Sequence, residues 1–286
     1  MAKHKIRVFP TLAAASWAAS THFEDLARIK AIERQPFAAA LSGGSTPQVL
    51  YQILGSPTFA GRVQWANVHL FQVDERCVPP EHPQSNYRMI RETLLTDSPL
   101  PVANFHRMQA ERMDRERASK EYAEEISRVL KPGPGEFPRF GLILLGMGQD
   151  GHTASLFPGS AALNEEAAWV CPNYIEKLNM HRLTVTFPIL NAAANVLFLV
   201  AGKEKAEILK QVLEGPPKRF PVQSVQPANG RVSWFLDFIL GDDPVPVHHE
   251  EQQQVQHPFF HGNHRVVQPQ LPQRRVKYKP AELVTI

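Results

Sequence analysis

A run of apolar residues at 140–145 (FGLILL), which ends in glycines, constrains the fold of this chain more than any other feature. A strand that is apolar at nearly every position is buried on both faces, and such strands are typical of parallel sheets covered by helices. Residues 5–9, 36–41, 68–73 and 195–200 form further strand-like runs rich in apolar residues. The chain is therefore predicted to contain a buried, mainly parallel sheet.

Helical patterns separate these strands. Residues 11–34 and 204–213 place apolar side chains at helical spacing, and the amphipathic segment 110–130 ends at a Pro/Gly breaker, 131–135. Strands that alternate with helices require crossover connections. The predicted fold class is therefore α/β, with a Rossmann-like, mainly parallel sheet flanked by helices.

Composition argues against several functional classes. The net charge of the 286 residues is only +3 and the basic residues are dispersed among acidic ones, so we expect no nucleic-acid partner. No apolar run is long enough to cross a bilayer, and we expect a cytoplasmic protein with no membrane partner. Cys77 and Cys171 match no disulfide or metal motif and are expected to be reduced packing residues, although Arg76 leaves a lowered pKa open for Cys77.

The composition changes after residue 241. Residues 1–241 are expected to form the α/β domain, and residues 242–286 a low-complexity tail rich in Pro, Gln and His that is mobile or lies on the surface. Its histidines match no standard metal-ligand spacing, and its basic residues favour at most a weak acidic contact. These residues are His248, His249, His257, His261 and His264, and Arg274, Arg275, Lys277 and Lys279.

A glycine-containing loop, 42–46 (SGGST), follows the strand at 36–41 and precedes a helix at 47–54. Thr46 is a predicted N-cap and Pro47 suits the first helical position. Backbone N–H groups and hydroxyls beside the positive end of a helix dipole bind anions. The loop is therefore predicted to hold a phosphate through Ser42, Gly43, Gly44, Ser45 and Thr46, and the alternative is a plain capped turn.

Charged residues follow two other predicted strands. Asp74, Glu75 and Arg76 come directly after 68–73, and Asp150 and His152 follow the glycines after 140–145. The carboxyl ends of parallel strands meet at the edge where open α/β sheets bind ligands. We therefore expect these groups to line one cleft, although a solvated corner and a structural histidine are the simpler alternatives.

Taken together, residues 41–47 (LSGGSTP), 74–88 and 146–158 (GMGQDGHTASLFP) resemble the 6-phosphogluconolactonase family. Weaker matches at 182–186, 202–206 and 230–237 extend the resemblance from about residue 5 to residue 240. The larger superfamily includes glucosamine-6-phosphate deaminases, in which an aromatic residue follows Asp-Glu and a glutamate follows the Gly-His. Here Arg76 follows Asp-Glu, and residues 156–159 contain no carboxylate. The differences favour the lactonase branch.

The resemblance implies hydrolysis of 6-phospho-D-glucono-1,5-lactone to 6-phospho-D-gluconate. A sugar-phosphate isomerase or deaminase and a non-catalytic sugar-phosphate sensor are the alternatives. His152 suits the role of base and acid, and Arg76 suits stabilisation of the oxyanion. Asp150 and Asp74 are the other candidate catalytic residues, and their individual roles stay open.

The resemblance also implies further binding residues. Arg182 and Lys205 are expected to be additional cations on the phosphate side, and Ser85 and Asn86 are expected to contact the substrate. No cofactor or metal is expected, because the scheme needs neither. The partner is a small sugar-phosphate lactone, and the protein is expected to be a monomer or homodimer.

Overall fold

A computed structural model of the chain describes residues 4–237 and 283–285. The strands are β1 His4–Phe9, β2 Phe37–Leu41, β3 Val68–Gln72, β4 Asp74–Arg76, β5 Phe105–His106, β6 Leu142–Leu145, β7 Val170–Ile175, β8 Met180–Val185, β9 Asn195–Val200, β10 Arg231–Asp237 and β11 Leu283–Thr285. The α-helices are α1 Leu12–Ile32, α2 Thr46–Gly55, α3 Pro57–Ala60, α4 Asn86–Ile90, α5 Arg115–Leu130, α6 Phe187–Ala192 and α7 Ala206–Glu214.

The main sheet has the strand order β11-β1-β10-β9-β6-β2-β3-β5, and every pair from β1 to β5 in this order is parallel. Alternate residues of β2 belong to different cores: Ala38 and Ala40 pack on one face, and Phe37, Ala39 and Leu41 on the other. Helices α1 and α2 cover the second face, and α5, α6 and α7 contribute to the first. The prediction of a Rossmann-like, mainly parallel sheet flanked by helices is confirmed.

Local capping explains where one helix departs from the predicted bounds. The helix predicted at 110–130 begins at Arg115, because the Asp114 side chain accepts a hydrogen bond from the Arg117 N–H (2.9 Å) and so caps its N-terminus. It ends where Lys131 takes a left-handed conformation (φ 46°) ahead of Pro132.

A second sheet, β4-β8-β7, was not predicted. It is antiparallel and has three strands. The interpretation of residues 74–76 as a solvated corner is wrong, because Asp74 and Glu75 are buried in β4. A strand with the sequence Asp-Glu-Arg lacks an apolar pattern, and Pro172 interrupts the strand signal of β7. Arg182 lies within β8 of this sheet.

The predicted tail, 242–286, lies outside the described residues apart from Leu283–Thr285, as do its histidines and basic residues. Those three residues pair antiparallel with β1 at the edge of the main sheet. The free edge of β1 offers unpaired backbone groups, which explains the pairing. Among the helices of the described chain, none is sufficiently long and apolar to span a membrane.

Candidate active site

The predicted site residues follow strands that are neighbours in the main sheet. Strand β2 lies between β6 and β3, and all three are parallel. The loop after β2 carries Gly43 and Gly44, β4 follows β3, and the turn after β6 carries Asp150 and His152. Three segments, two loops and the short strand β4, therefore follow neighbouring strands at the same edge of the sheet.

The loop after β2 presents its backbone to open space. Gly44 has a positive φ (101°), and a Cβ atom placed there would meet nothing within 4 Å. Helix α2 begins at Thr46, so the prediction that Thr46 is the N-cap is wrong by one residue. Ser45 occupies the N-cap without using its side chain there, which leaves the hydroxyl available to a ligand.

The same loop packs tightly against α4. A Cβ atom on Gly43 would overlap the side-chain amide of Asn86, so only glycine permits this approach. Asn86 Nδ2 donates to the backbone oxygen (2.9 Å) and Oδ1 (3.2 Å) of Asp74. Its Oδ1 accepts a hydrogen bond from Arg76 Nη1. Asn86 therefore joins the loop, the carboxylate and the guanidinium.

Asp74 is 4% exposed and is held by groups from three segments. Its Oδ2 accepts a hydrogen bond from Ser155 Oγ at 2.6 Å and lies 3.6 Å from Arg182 Nη1. Ser155, which sequence reasoning missed, also lies 3.4 Å from Arg182 Nη1. These contacts orient Asp74 and Arg182 rather than leaving them free in solvent.

Glu75 was missed as a candidate and is the most heavily bonded carboxylate of this region. Its Oε1 accepts from the backbone N–H groups of Arg76 (2.7 Å) and Asn86 (2.8 Å). Its Oε2 accepts from Tyr87 N (2.7 Å), Gln72 Nε2 (2.9 Å) and Ser85 Oγ (3.1 Å). Burial raises the pKa of Glu75, and the hydrogen bonds oppose this rise. Ser85, predicted to touch substrate, thus also supports Glu75.

Arg76 and Arg182 stand directly opposite each other in the β4–β8 ladder. Like charges in this arrangement repel each other. The Nε atoms of both guanidiniums are buried and have no hydrogen-bond partner among the residues that the structure describes. Both residues line a cleft of about 370 Å³ together with Gly44, Ser45 and Ser85. An anion placed between the two cations would satisfy both charge and donors.

Asp150 and His152 form a hydrogen-bonded pair. Asp150 Oδ1 lies 2.5 Å from His152 Nδ1 and accepts from the His152 backbone N–H at 3.2 Å. The imidazole stacks on Phe157, with ring centroids 3.8 Å apart and an angle of 18°. A proton on Nδ1 that is donated to the carboxylate leaves Nε2 as the basic atom.

The electrostatic environment keeps this imidazole neutral. Burial lowers the pKa of His152 to about 4, and the charges of Arg182, Lys205 and Arg76 act in the same direction, whereas Asp74 opposes them. These four charged residues reach His152 from three segments: β4, β8 and the start of α7. Lys205 is the N-cap of α7, and burial lowers its pKa.

Other chemically active groups do not compete with this site. Cys77 and Cys171 are free thiols, as expected, but the pKa of Cys77 is raised by burial, so Arg76 does not activate it. Burial raises the pKa of Cys171 to about 12. Within the described ranges, no group of three or more His, Cys, Asp or Glu residues is placed to hold a metal ion.

Comparison with known proteins identifies the family to which this chain is similar. A family model described as glucosamine-6-phosphate isomerases/6-phosphogluconolactonase matches residues 10–234. The 6-phosphogluconolactonase of Synechocystis sp. is 40% identical over 216 residues, which cover 75% of this chain and 87% of the relative. That of Haemophilus influenzae is 35% identical over 204 residues, covering 71% of this chain and 85% of the relative.

Comparison with solved structures indicates the same family. The 6-phosphogluconolactonase from Trypanosoma cruzi superposes with a TM-score of 0.74 at 28% identity, over 84% of this chain and 97% of that one. The residues matched by the family model, 10–234, contain all three segments of the cleft edge. The chain therefore belongs to the glucosamine-6-phosphate isomerase/6-phosphogluconolactonase family.

Proposed function

We propose that this protein hydrolyses 6-phospho-D-glucono-1,5-lactone to 6-phospho-D-gluconate, a step of the oxidative pentose phosphate pathway. The observation that carries the proposal is the neutral His152, oriented by Asp150, beside the opposed cations Arg76 and Arg182. Such an arrangement supplies a base next to two donors for negative charge. The family match over residues 10–234 supports the same activity.

The phosphate end of the substrate belongs on the loop after β2. Gly43, Gly44 and Ser45 offer backbone and hydroxyl donors beside the start of α2, and Ser42 and Thr46 flank them. Arg182 and Lys205 supply further positive charge. The phosphate lies at the end of the substrate away from the lactone carbonyl. Binding the phosphate therefore fixes the orientation of the reacting carbon.

The chemistry follows from the His152 tautomer. Nε2 accepts a proton from a water molecule whose oxygen attacks the lactone carbonyl carbon, and Asp150 stabilises the imidazolium that forms. Arg76 stabilises the tetrahedral oxyanion, a contribution worth about 3 kcal/mol in comparable sites. When the ring C–O bond breaks, His152 returns the proton to the leaving alkoxide. Asn86 holds Arg76 and is itself held by Asp74, and either residue is a candidate to bind the sugar hydroxyls.

A coupled assay tests the proposal. The lactone is generated with glucose-6-phosphate dehydrogenase, and acid release is compared with and without the protein. We expect the wild type to exceed the spontaneous rate and His152→Gln to lose most of that excess, about a hundredfold or more, while still binding 6-phosphogluconate. A wild-type rate equal to the spontaneous one would contradict the proposal.

The alternative of a sugar-phosphate isomerase or deaminase is tested with glucosamine 6-phosphate. Residues 156–159 provide no carboxylate beside His152, so we expect no release of ammonia. We further propose a cytoplasmic location, where the charged substrate is produced, and a monomer or homodimer that acts without nucleic acid, membrane, metal or organic cofactor.

A further inference from the structure

The two oxygens of the Asp150 carboxylate contact different side chains, the imidazole of His152 and the ammonium of Lys177. One oxygen, Oδ1, lies 2.5 Å from His152 Nδ1. The other, Oδ2, accepts a hydrogen bond from Lys177 Nζ and forms an ion pair with it. The orientation and the charge of Asp150 therefore depend on Lys177 as well as on His152.

Lys177 reaches this position from a turn of the second sheet. It lies in the short 3-10 helix Glu176–Leu178 between β7 and β8. Its Nζ is 4.7 Å from the centroid of the Phe157 ring on which His152 stacks. Asn179 completes the turn with a positive φ (45°), and its Oδ1 accepts a hydrogen bond from Tyr174 Oη at 2.5 Å. The turn thus holds the ammonium against the pair.

Building on the proposed hydrolysis, we propose that Lys177 is a positioning residue that fixes Asp150 and shares its charge, so that the His152 imidazole stays neutral and able to accept a proton. Without Lys177 the whole charge of Asp150 would act on His152 and favour the imidazolium, which is no base. Lys177 is 51% exposed on its side chain, and an ion pair this exposed contributes little to folding. The main effect of Lys177 is therefore on the Asp150–His152 pair and not on the stability of the fold.

Several other charged groups also act on the pKa of His152. The loop after β6 contributes Asp150, and the remaining charges come from β4, β8 and the start of α7: Asp74, Arg76, Arg182 and Lys205. All of these stay in place when Lys177 is substituted. A change in the protonation of His152 in a Lys177 variant is therefore attributable to the lost ammonium.

The experiment measures the His152 pKa by NMR titration of the imidazole in the full-length wild type, Lys177→Met and Lys177→Arg. We expect the Met variant to raise this pKa by about one unit, because a nearby like charge has been removed, and the Arg variant to restore it. In the lactonase assay the acidic limb of kcat/KM should move upward by the same amount. An unchanged His152 pKa in Lys177→Met would overturn the proposal.

A double-mutant cycle shows whether Lys177 acts through Asp150. In an Asp150→Asn background we expect Lys177→Met to shift the His152 pKa much less than in the wild type. An equal shift in both backgrounds would refute the role of the shared carboxylate. The titration needs no substrate, so a protein without lactonase activity would disprove the proposed function while the Lys177 result stood on its own.

Discussion

Among single residues, Glu75 shows how much of this site is support rather than chemistry. It lies between two candidate catalytic residues, Asp74 and Arg76, yet all five donors around its carboxylate come from the chain. A carboxylate that is fully occupied in this way orients its neighbours. Here it fixes the backbone of Arg76 and the start of the segment that carries Asn86.

Glu75→Gln should therefore damage both stability and activity. The amide places an N–H₂ group against donors that need an acceptor, and we expect a loss of about 3 kcal/mol in the free energy of unfolding. Urea denaturation measures this loss, and kcat/KM should fall with it. Glu92→Gln, at an exposed position, is the control and should change the free energy of unfolding by less than about 0.5 kcal/mol. Equal stability of the two variants would contradict this role of Glu75.

Gly43 is the second residue whose substitution has a clear outcome. In Gly43→Ala the new methyl group must displace Asn86, and Arg76 with it. A displacement of about 1 Å in a catalytic group costs about a hundredfold in rate, so we expect kcat/KM to fall by about that factor. Gly61→Ala is the matched control, because a Cβ atom there meets nothing within 4 Å. A fully active Gly43→Ala enzyme would show that Asn86 does not position Arg76.

Among the elements, the small antiparallel sheet has an unusual electrostatic arrangement. Strands β4 and β8 place Arg76 opposite Arg182, and within residues 4–237 and 283–285 the buried Nε atoms of both have no hydrogen-bond partner. Part of this charge is balanced by Asp74 near Arg182. The positive charge that Asp74 does not balance favours binding of an anion between the two strands. A bound anion should therefore stabilise them.

Inorganic phosphate should accordingly raise the melting temperature of the wild type. Saturation at a hundred times Kd adds about 2.7 kcal/mol to the free energy of unfolding. In Arg182→Gln the phosphate-dependent increase in Tm should be much smaller, whereas Arg28→Gln, an exposed residue of α1, should respond like the wild type. Differential scanning fluorimetry over a phosphate series measures this. Identical responses of Arg182→Gln and the wild type would exclude Arg182 as a phosphate ligand.

At the scale of the whole molecule, histidines make stability depend on pH. Burial lowers the pKa values of His22, His69, His106 and His152. His106 is 4% exposed. Its Nε2 lies 3.0 Å from His69 Nδ1, and its Nδ1 lies 2.6 Å from Glu125 Oε1. These histidines are neutral in the folded chain at pH values where the unfolded chain has already bound protons.

The free energy of unfolding should therefore fall as the pH drops below about 6.5, the ordinary histidine pKa, because protons bind preferentially to the unfolded state. Above that pH the histidine contribution is constant. Urea denaturation across this range measures the slope. His106→Gln should flatten it, since the amide does not titrate and still offers a donor to Glu125. A slope unchanged by His106→Gln would show that His106 does not contribute.

The sequence predicted the main sheet well because its strands are apolar on both faces. Strand β9 has the predicted bounds, and the predicted helix at 11–34 is observed as Leu12–Ile32. The second sheet escaped prediction because β4 is charged, and its burial depends on partners distant in the chain. Ser155, Glu75 and Lys177 were missed for the same reason: they act through contacts that no local pattern encodes. The roles of the predicted site residues remain predictions.

The β7–β8 turn has a practical consequence for protein engineering. Leu178 lines the ligand cleft at this turn and is 44% exposed, and neighbouring Lys177 contacts Asp150. Neither Lys177 nor Leu178 belongs to the two apolar cores described above. Libraries that keep Lys177 and vary Leu178 should therefore retune which lactones are accepted, and a designer seeking altered selectivity should begin there.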